Sequence, residues 1–482
     1  MLLASTTLLS GCAGIIAEDS YISESTSQVA NQAQYKAYRQ NPTPLSPNTA
    51  SNNTSPKAAS TQRSSKIIAL DGLGQSNNIQ LRRQITQALV ISPNIKAQQA
   101  QVEQARQQVI INAADQGLNL SLNNNNSLRT SAQSSSATKS FDLALQGSWN
   151  ADLWGTLSAQ TKIAQLQLSQ SNINLEQAKN TLIADITSAW YQLIYNQALL
   201  KLTQEQQANT KDQLAAIETS YQRGLSESLD VFLARGNFES AQSSTIARQQ
   251  ALASAARDLE QLLTKYPTGK LLINAKLTKL QADYRLGVPA DLLKNRADLR
   301  SSWQGLLIED ARVAASYAQQ FPQFSLTGNL SLTNARLSDL FKENLAWSLA
   351  SAISQTVFDN GKKKAQYQQA KAKLLAAEQQ FLLTLQGAIK EVETLLYAEK
   401  SIAQQIARQL RTLKNTLLSY EQVQIQYQNG IANYQQVLNL QQQLFNNQRS
   451  QLDLEMQQID NRVKLILALG SQTPSSNLTG IQ

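Results

Sequence analysis

The chain has 482 residues, more than one ordinary hydrophobic core accommodates. It contains no His and one Cys, Cys12, which removes the commonest general base and metal ligand and leaves no disulfide framework or Cys-rich metal site. Its net charge of +9 rests on dispersed Lys and Arg, a pattern of solvated faces rather than of a nucleic-acid surface.

No stretch approaches the ~20 apolar residues of a transmembrane helix. A membrane-spanning reading therefore requires a closed barrel. Residues 1–11 read as a signal peptide, with Leu2, Leu3, Leu8 and Leu9 but no Lys or Arg in the leader. That gap places the expected translation start upstream of Met1. Leu9-Ser10-Gly11-Cys12 resembles a bacterial lipobox, in which small residues precede a Cys whose thiol carries lipid. Ala13, in place of Asp, resembles the sorting rule that sends lipoproteins to the outer membrane. The competing reading is a disordered terminus with a chance Cys. Residues 12–76 form an N-terminal linker or surface wrap, rich in Pro, Ser, Thr and Asn between 40 and 65.

Beyond the linker the chain repeats itself. Glu103-Gln104-Ala105-Arg106 recurs as Glu309-Asp310-Ala311-Arg312. Gly155 after Asp152-Leu153-Trp154 recurs as Gly361 after Phe358-Asp359-Asn360, and Tyr221-Gln222-Arg223-Gly224-Leu225 recurs as Tyr427-Gln428-Asn429-Gly430-Ile431. Every counterpart lies 206 residues on (103 to 309, 155 to 361, 224 to 430). The chain is two tandem copies of one unit, 77–264 and 292–469, joined by a connection at 265–291 and followed by a tail at 470–482. Each copy predicts a helix (77–115, 292–320), two alternating strands (about 117–127 and 138–150; about 323–333 and 345–358), and a helical hairpin (157–264, 362–469). Two strands per copy cannot close a barrel alone, so they either stack as a small sandwich or share a barrel between chains. Gly155 and Gly361 mark the turn from strand to helix, and Gly224 and Gly430 mark the hairpin tips.

The hairpins carry heptad rows. Ile389, Leu396, Ala403, Leu410 and Leu417 recur by sevens, with Ile406, Leu413, Tyr420 and Tyr427 as a companion row. Leu438, Phe445, Leu452, Ile459 and Ile466 do the same on the returning helix. Such seams pack helix on helix as a coiled coil. The first arm would span about 100 Å at ~1.5 Å per residue, far beyond the needs of a globular domain, so the length itself points to reaching or bridging. Lys362, Lys363 and Lys364 open a helix and read as a lipid-facing cluster or as a solvated charge run. Phe141, Trp149, Trp154, Trp347 and Phe358 flank the strands and suit an aromatic girdle or ordinary packing.

Together the lipobox, the tandem repeat and four local motifs resemble the TolC/OprM group of outer-membrane efflux proteins. The motifs are Asp152-Leu153-Trp154-Gly155, Leu292-Leu293-Lys294-Asn295-Arg296-Ala297-Asp298-Leu299-Arg300, Phe321-Pro322-Gln323-Phe324-Ser325-Leu326-Thr327-Gly328 and Val357-Phe358-Asp359-Asn360-Gly361-Lys362-Lys363-Lys364-Ala365. The resemblance implies an α+β membrane protein. In it a homotrimer builds a twelve-stranded β-barrel, four strands per chain, continuous with a long α-helical coiled-coil tunnel. It implies an outer-membrane, lipid-anchored exit channel of a tripartite efflux pump, with a periplasmic membrane-fusion adaptor, an inner-membrane pump and outer-membrane lipid as partners. No catalytic residue, metal or cofactor is expected beyond covalent lipid on Cys12, and no nucleic acid. Family members place acidic residues past the second tip. The matching positions here are Gln436 and Asn439, while Asp230 is the first-copy equivalent of Gln436; Asp230 also reads as a first-turn helix acid. Alternatives are a duct for an ABC exporter or type I protein secretion and, in another class, a structural envelope lipoprotein without a lumen.

Overall fold

The computed structural model describes residues 78–131, 134–277, 280, 295–342 and 345–470. The leader 1–11, Cys12 with the linker up to 77, connection residues 281–291 and the tail beyond Gly470 lie outside the described residues. The elements in chain order are α1 (Ile79–Ile91), α2 (Pro93–Ala114), β1 (Asn119–Ser131), β2 (Ser134–Ala151), α3 (Thr156–Gln222) and α4 (Ser228–Leu262), then α5 (Ala297–Ala318), β3 (Gln323–Asn334), β4 (Ala346–Ser354), α6 (Lys362–Gln428) and α7 (Tyr434–Ala468). Hairpin boundaries keep the repeat spacing of 206 residues (156 to 362, 222 to 428, 228 to 434, 262 to 468). No described helix is long and apolar enough to cross a membrane.

The chain divides into two compact units. The described part of the first comprises Gln98–Leu175 and Asp298–Leu385. It holds one antiparallel sheet in the order β1-β2-β3-β4. A single sheet replaces the small sandwich that the strand pattern left open. Its helical core joins α5 to α6 through Leu306, Val313, Ala370 and Leu374, with Trp303 and Tyr367 packed on them. Contacts to α3 include amide bonds beside buried Ala164 and Ile173: Gln170 donates to the Ser301 carbonyl at 3.0 Å, and Asn112 donates to the Gln160 carbonyl at 3.1 Å. The abundance of Gln, Asn and Thr thus has a packing role, because these side chains satisfy backbone carbonyls between helices.

The second unit comprises residues 78–97, Glu176–Ala297 and 386–470 in its described part. Leu81, Ile85, Ile186, Trp190, Leu193, Ile194 and Leu259 are its deeply buried side chains.

Four expectations change. The helix expected at 77–115 is broken at Ser92, whose ψ of 124° is extended. Pro93 disfavours a helical residue before it and cannot donate to a preceding turn. Strands β1 and β2 run further toward their loop than expected, because the ladder continues past Ser127↔Ser140 through Arg129↔Thr138 to Ser131↔Ser134. Strand β4 ends at Ser354 rather than 358, since its partner β3 ends at Gln323↔Ser354. In α6, the row of Ile389 (46% exposed), Leu396, Ala403, Leu410 (51% exposed) and Leu417 is only partly buried, with Leu396 packed beside Val392 and Ala468, and is not the main seam. Val392, Glu399, Ile402, Thr416 and Val423 are buried instead, with the companion row of Ile406, Leu413, Tyr420 and Tyr427 half-buried beside them. A helix lying on its neighbour buries one stripe, and α6 carries two adjacent apolar rows.

Candidate functional site

The sheet is the first candidate. Directly paired residues of an antiparallel ladder share a face, so the register sorts every side chain. Leu122↔Leu145, Leu145↔Leu330 and Leu330↔Trp347 form one line across all four strands. Trp149↔Leu326, Leu143↔Leu332 and Phe324↔Ile353 fall on the same face. The opposite face carries Ser121↔Gln146, Gln146↔Asn329 and Asn329↔Ser348, then Ser127, Ser325, Thr327 and Thr333. Among the described residues its charged side chains are Asp142 and Arg129. The apolar face is open: Trp347 is 77% and Ile353 67% exposed. Among the described residues, strands β1 and β4 each have one neighbour, leaving two unpaired edges. In water an open apolar face with bare edges is unfavourable, whereas a closed sheet with one apolar and one polar face is what a bilayer demands.

Both sheet-to-helix corners are built alike. Gly155 has φ +76° and Gly361 φ +81°, values that glycine reaches without steric cost. At the first corner the Asp152 carboxylate accepts from the N–H groups of Leu157 (3.0 Å) and Ser158 (2.7 Å). At the second, Asp359 accepts from Gly361 (2.9 Å) and Lys363 (3.0 Å). Those backbone donors, led by Lys363, hold the Asp359 carboxyl below its ordinary range. Each long helix therefore starts on an aspartate cap. Trp154 belongs to the packing of this corner and not to a girdle: its ring stacks on Phe321 at 4.8 Å and its Nε1 donates to the Pro322 carbonyl at 2.7 Å. Trp149 donates to the Gln116 carbonyl at 3.1 Å from the apolar face. Phe358 is 81% exposed.

The hairpin tips are the second candidate. Gly224 (φ +74°) and Gly430 (φ +70°) each close a helix in a Schellman turn: Leu225 N–H reaches the Ser220 carbonyl at 2.9 Å and Ile431 N–H the Gln426 carbonyl at 2.8 Å. Asp230 lies in the first turn of α4, whose N-cap Glu227 makes no side-chain cap bond. Gln436 is the third residue of a capping box: Asn433 Oδ1 accepts from its N–H at 3.0 Å, and its own side chain accepts from the Asn433 N–H at 3.1 Å. Gln436 and Asn439 line an open groove of about 600 Å³ with Leu418, Gln422 and Gln426, a groove whose lining includes no charged side chain. Beneath the tips, Ile217, Val231 and Ala234 pack with Val423, Tyr434 and Val437. The two tips are thus one apolar cluster, and burial, then Tyr427 and Asp230, push the Tyr434 phenol up.

One group escaped sequence reasoning. In the second hairpin, Arg462 pairs with Glu399 in a buried position, and Asn461 donates to Glu399 Oε2 at 2.9 Å and to the Leu395 carbonyl at 3.1 Å. Arg296, from the motif preceding α5, donates to the Ala468 carbonyl at 2.9 Å and pairs with Glu391 at 2.8 Å. The signal was available: the repeat spacing puts Leu193, Ala255, Ala256 and Val90 opposite Glu399, Asn461, Arg462 and Arg296.

Comparison with known proteins closes the identification. The sequence matches the outer membrane efflux protein family over residues 84–265 and 288–471, once per repeat. It is 28% identical over 364 residues to the cation efflux system protein CusC of Escherichia coli O6:H1, covering 73% of this chain and 77% of that protein. It is also 28% identical over 297 residues to the toluene efflux pump outer membrane protein TtgI of Pseudomonas putida, covering 60% of this chain and 62% of that protein. A crystal structure of CusC, from a study of folding and transmembrane channel formation, superposes with a TM-score of 0.77 at 26% identity, covering 81% of this chain and 92% of the other. With the match running through both repeats and well over half of its length, the chain belongs to the outer membrane efflux protein family.

Proposed function

We propose that three copies of this chain close one twelve-stranded barrel in the outer membrane and give a passive, water-filled exit path for small molecules. An inner-membrane pump supplies the energy, and a periplasmic adaptor engages the hairpin tips. The observation that carries this reading is the one-sided sheet with two bare edges. Four strands cannot close on themselves, whereas twelve exceed the roughly eight at which side chains still fill a barrel. Hydroxyl and amide side chains then line water, and leucine and aromatic side chains meet lipid. Ile389, Leu410 and Leu417 of α6, each exposed, supply further apolar side chains for a neighbouring chain. Relatives of equal identity are named for cation and for toluene efflux; the choice of cargo accordingly falls to the pump rather than to this nearly uncharged wall. Native mass spectrometry in detergent should return the mass of three chains, and the purified protein should conduct in planar bilayers. A stable monomer, or inserted protein without conductance, rejects the reading.

Cys12 is the lipid-bearing residue in this proposal, on the strength of Leu9-Ser10-Gly11 before it. Cys12→Ser should lose metabolic labelling with palmitate while keeping part of its transport, since the barrel also anchors the chain. Equal labelling of variant and parent overturns the assignment.

A further inference from the structure

The segment between β4 and α6 differs from its counterpart in a way that the fold does not require. Val357 is 95% and Phe358 81% exposed. They follow the last ladder pair, Gln323↔Ser354, just beyond the strand whose Trp347, Leu349 and Ile353 lie on the open apolar face. Four residues after Phe358, Lys362, Lys363 and Lys364 begin α6. Cations at a helix N-terminus oppose the macrodipole, so helix stability does not account for them. The nearby Asp359 commits its two oxygens to the N–H groups of Gly361 and Lys363. The first repeat builds the same corner, with the same positive φ at Gly155, yet carries Ala151 and Asp152 opposite Val357 and Phe358, and Thr156, Leu157 and Ser158 opposite the three lysines.

Exposed apolar side chains beside a cationic run, at the end of an apolar band, match the boundary between hydrocarbon and headgroups. We propose that Val357, Phe358 and Lys362 to Lys364 dock an anionic phospholipid at the periplasmic surface of the outer membrane. The apolar pair enters the acyl layer and the ammonium groups hold the headgroup phosphate. The inference rests on the outer-membrane reading and names a lipid partner for it. Free phosphate shares the charge chemistry, but it would leave Val357 and Phe358 without a partner.

The test reconstitutes the full chain into vesicles of phosphatidylcholine containing a minority of phosphatidylglycerol, re-extracts it, and quantifies the lipid that stays bound. The wild type should enrich phosphatidylglycerol by about tenfold, and less at high salt. Lys362→Gln with Lys363→Gln and Lys364→Gln should bring the ratio back to that of the vesicle, and Arg at all three positions should restore it. Phe358→Ser with Val357→Ser should lower total retention of both lipids. Unchanged enrichment in the Gln variant overturns the proposal, as does displacement of the lipid by inorganic phosphate alone. A wild type that inserts but shows no enrichment overturns the docking site and spares the membrane reading; failure to insert at all overturns both.

Discussion

Where the first repeat buries Leu193, Ala255 and Ala256, the second buries Glu399, Asn461 and Arg462 at the same places in its hairpin. The hairpins otherwise share their boundaries, their Schellman turns and their glycine corners. One backbone path therefore accepts either an apolar contact or a buried ion pair in its interior. What stays constant is the turn chemistry, because a positive φ is a demand on the backbone and few residues meet it. A core slot only has to be filled and its polar atoms satisfied.

The comparison can be broken most forcefully at the ion pair. Arg462→Ala alone leaves the Glu399 carboxylate buried without its main partner and should cost about 3–5 kcal/mol. Glu399→Leu with Arg462→Ala and Asn461→Ala copies the first repeat and should return most of that loss, because a buried pair replaced by apolar groups is often neutral. Thermal unfolding of the purified protein in detergent measures both. A triple variant as unstable as the single one would mean that the second hairpin cannot adopt the interior of the first.

A smaller effect separates the ends of the hairpins. Thr264 (φ +55°) and Gly470 (φ +78°) occupy the same repeat position after their helices. A Cβ on Gly470 would lie 2.5 Å from the backbone carbon of Asn295. Gly470→Thr therefore meets a clash as well as backbone strain and should cost roughly 2–3 kcal/mol. Thr264→Gly should be neutral or stabilising by up to about 1 kcal/mol, since it relieves a left-handed β-branched residue. Equal tolerance at both positions, read from the same melting experiment, would remove the distinction.

The smallest effect lies at the tips, where Asp230 and Gln436 are repeat counterparts of unlike charge. If both face the path, Gln436→Asp with Asn439→Asp should strengthen block of single-channel current by divalent cations on the order of threefold, and Asp230→Asn should weaken what block exists. Aspartate suits the first helical turn, so the α7 start should survive the change. Unchanged block in the double Asp variant would show that these side chains face away from the path.

The repeat, the hairpin lengths and the glycine turns were legible in the sequence, because each is a local event with a local cause: Gly224 and Gly430 announce their turns through the residue type itself. The capping role of Gln436 was equally local but was obscured by its family position. The Asp152 and Asp359 caps could have been read from an acid just before a helix start. The Glu399–Arg462 pair could not be read from one repeat alone. Each residue looks like an ordinary solvated charge on an amphipathic helix, and only the other hairpin arm makes it buried.

By itself the sequence determined the order of the elements, the one-sided polarity of the strands and the spacing of the two copies, since periods of two and of three and a half are written along the chain. Only the tertiary structure decided that the four strands form one sheet rather than a sandwich, that the Val392–Val423 stripe and not Ile389 and Leu410 is buried against the chain itself, and that the two tips share one apolar cluster. Those choices depend on which surfaces residues far apart in the chain present to each other. Several pairings satisfy the same local pattern, and the fold keeps the one that buries most apolar area while leaving its polar atoms partnered.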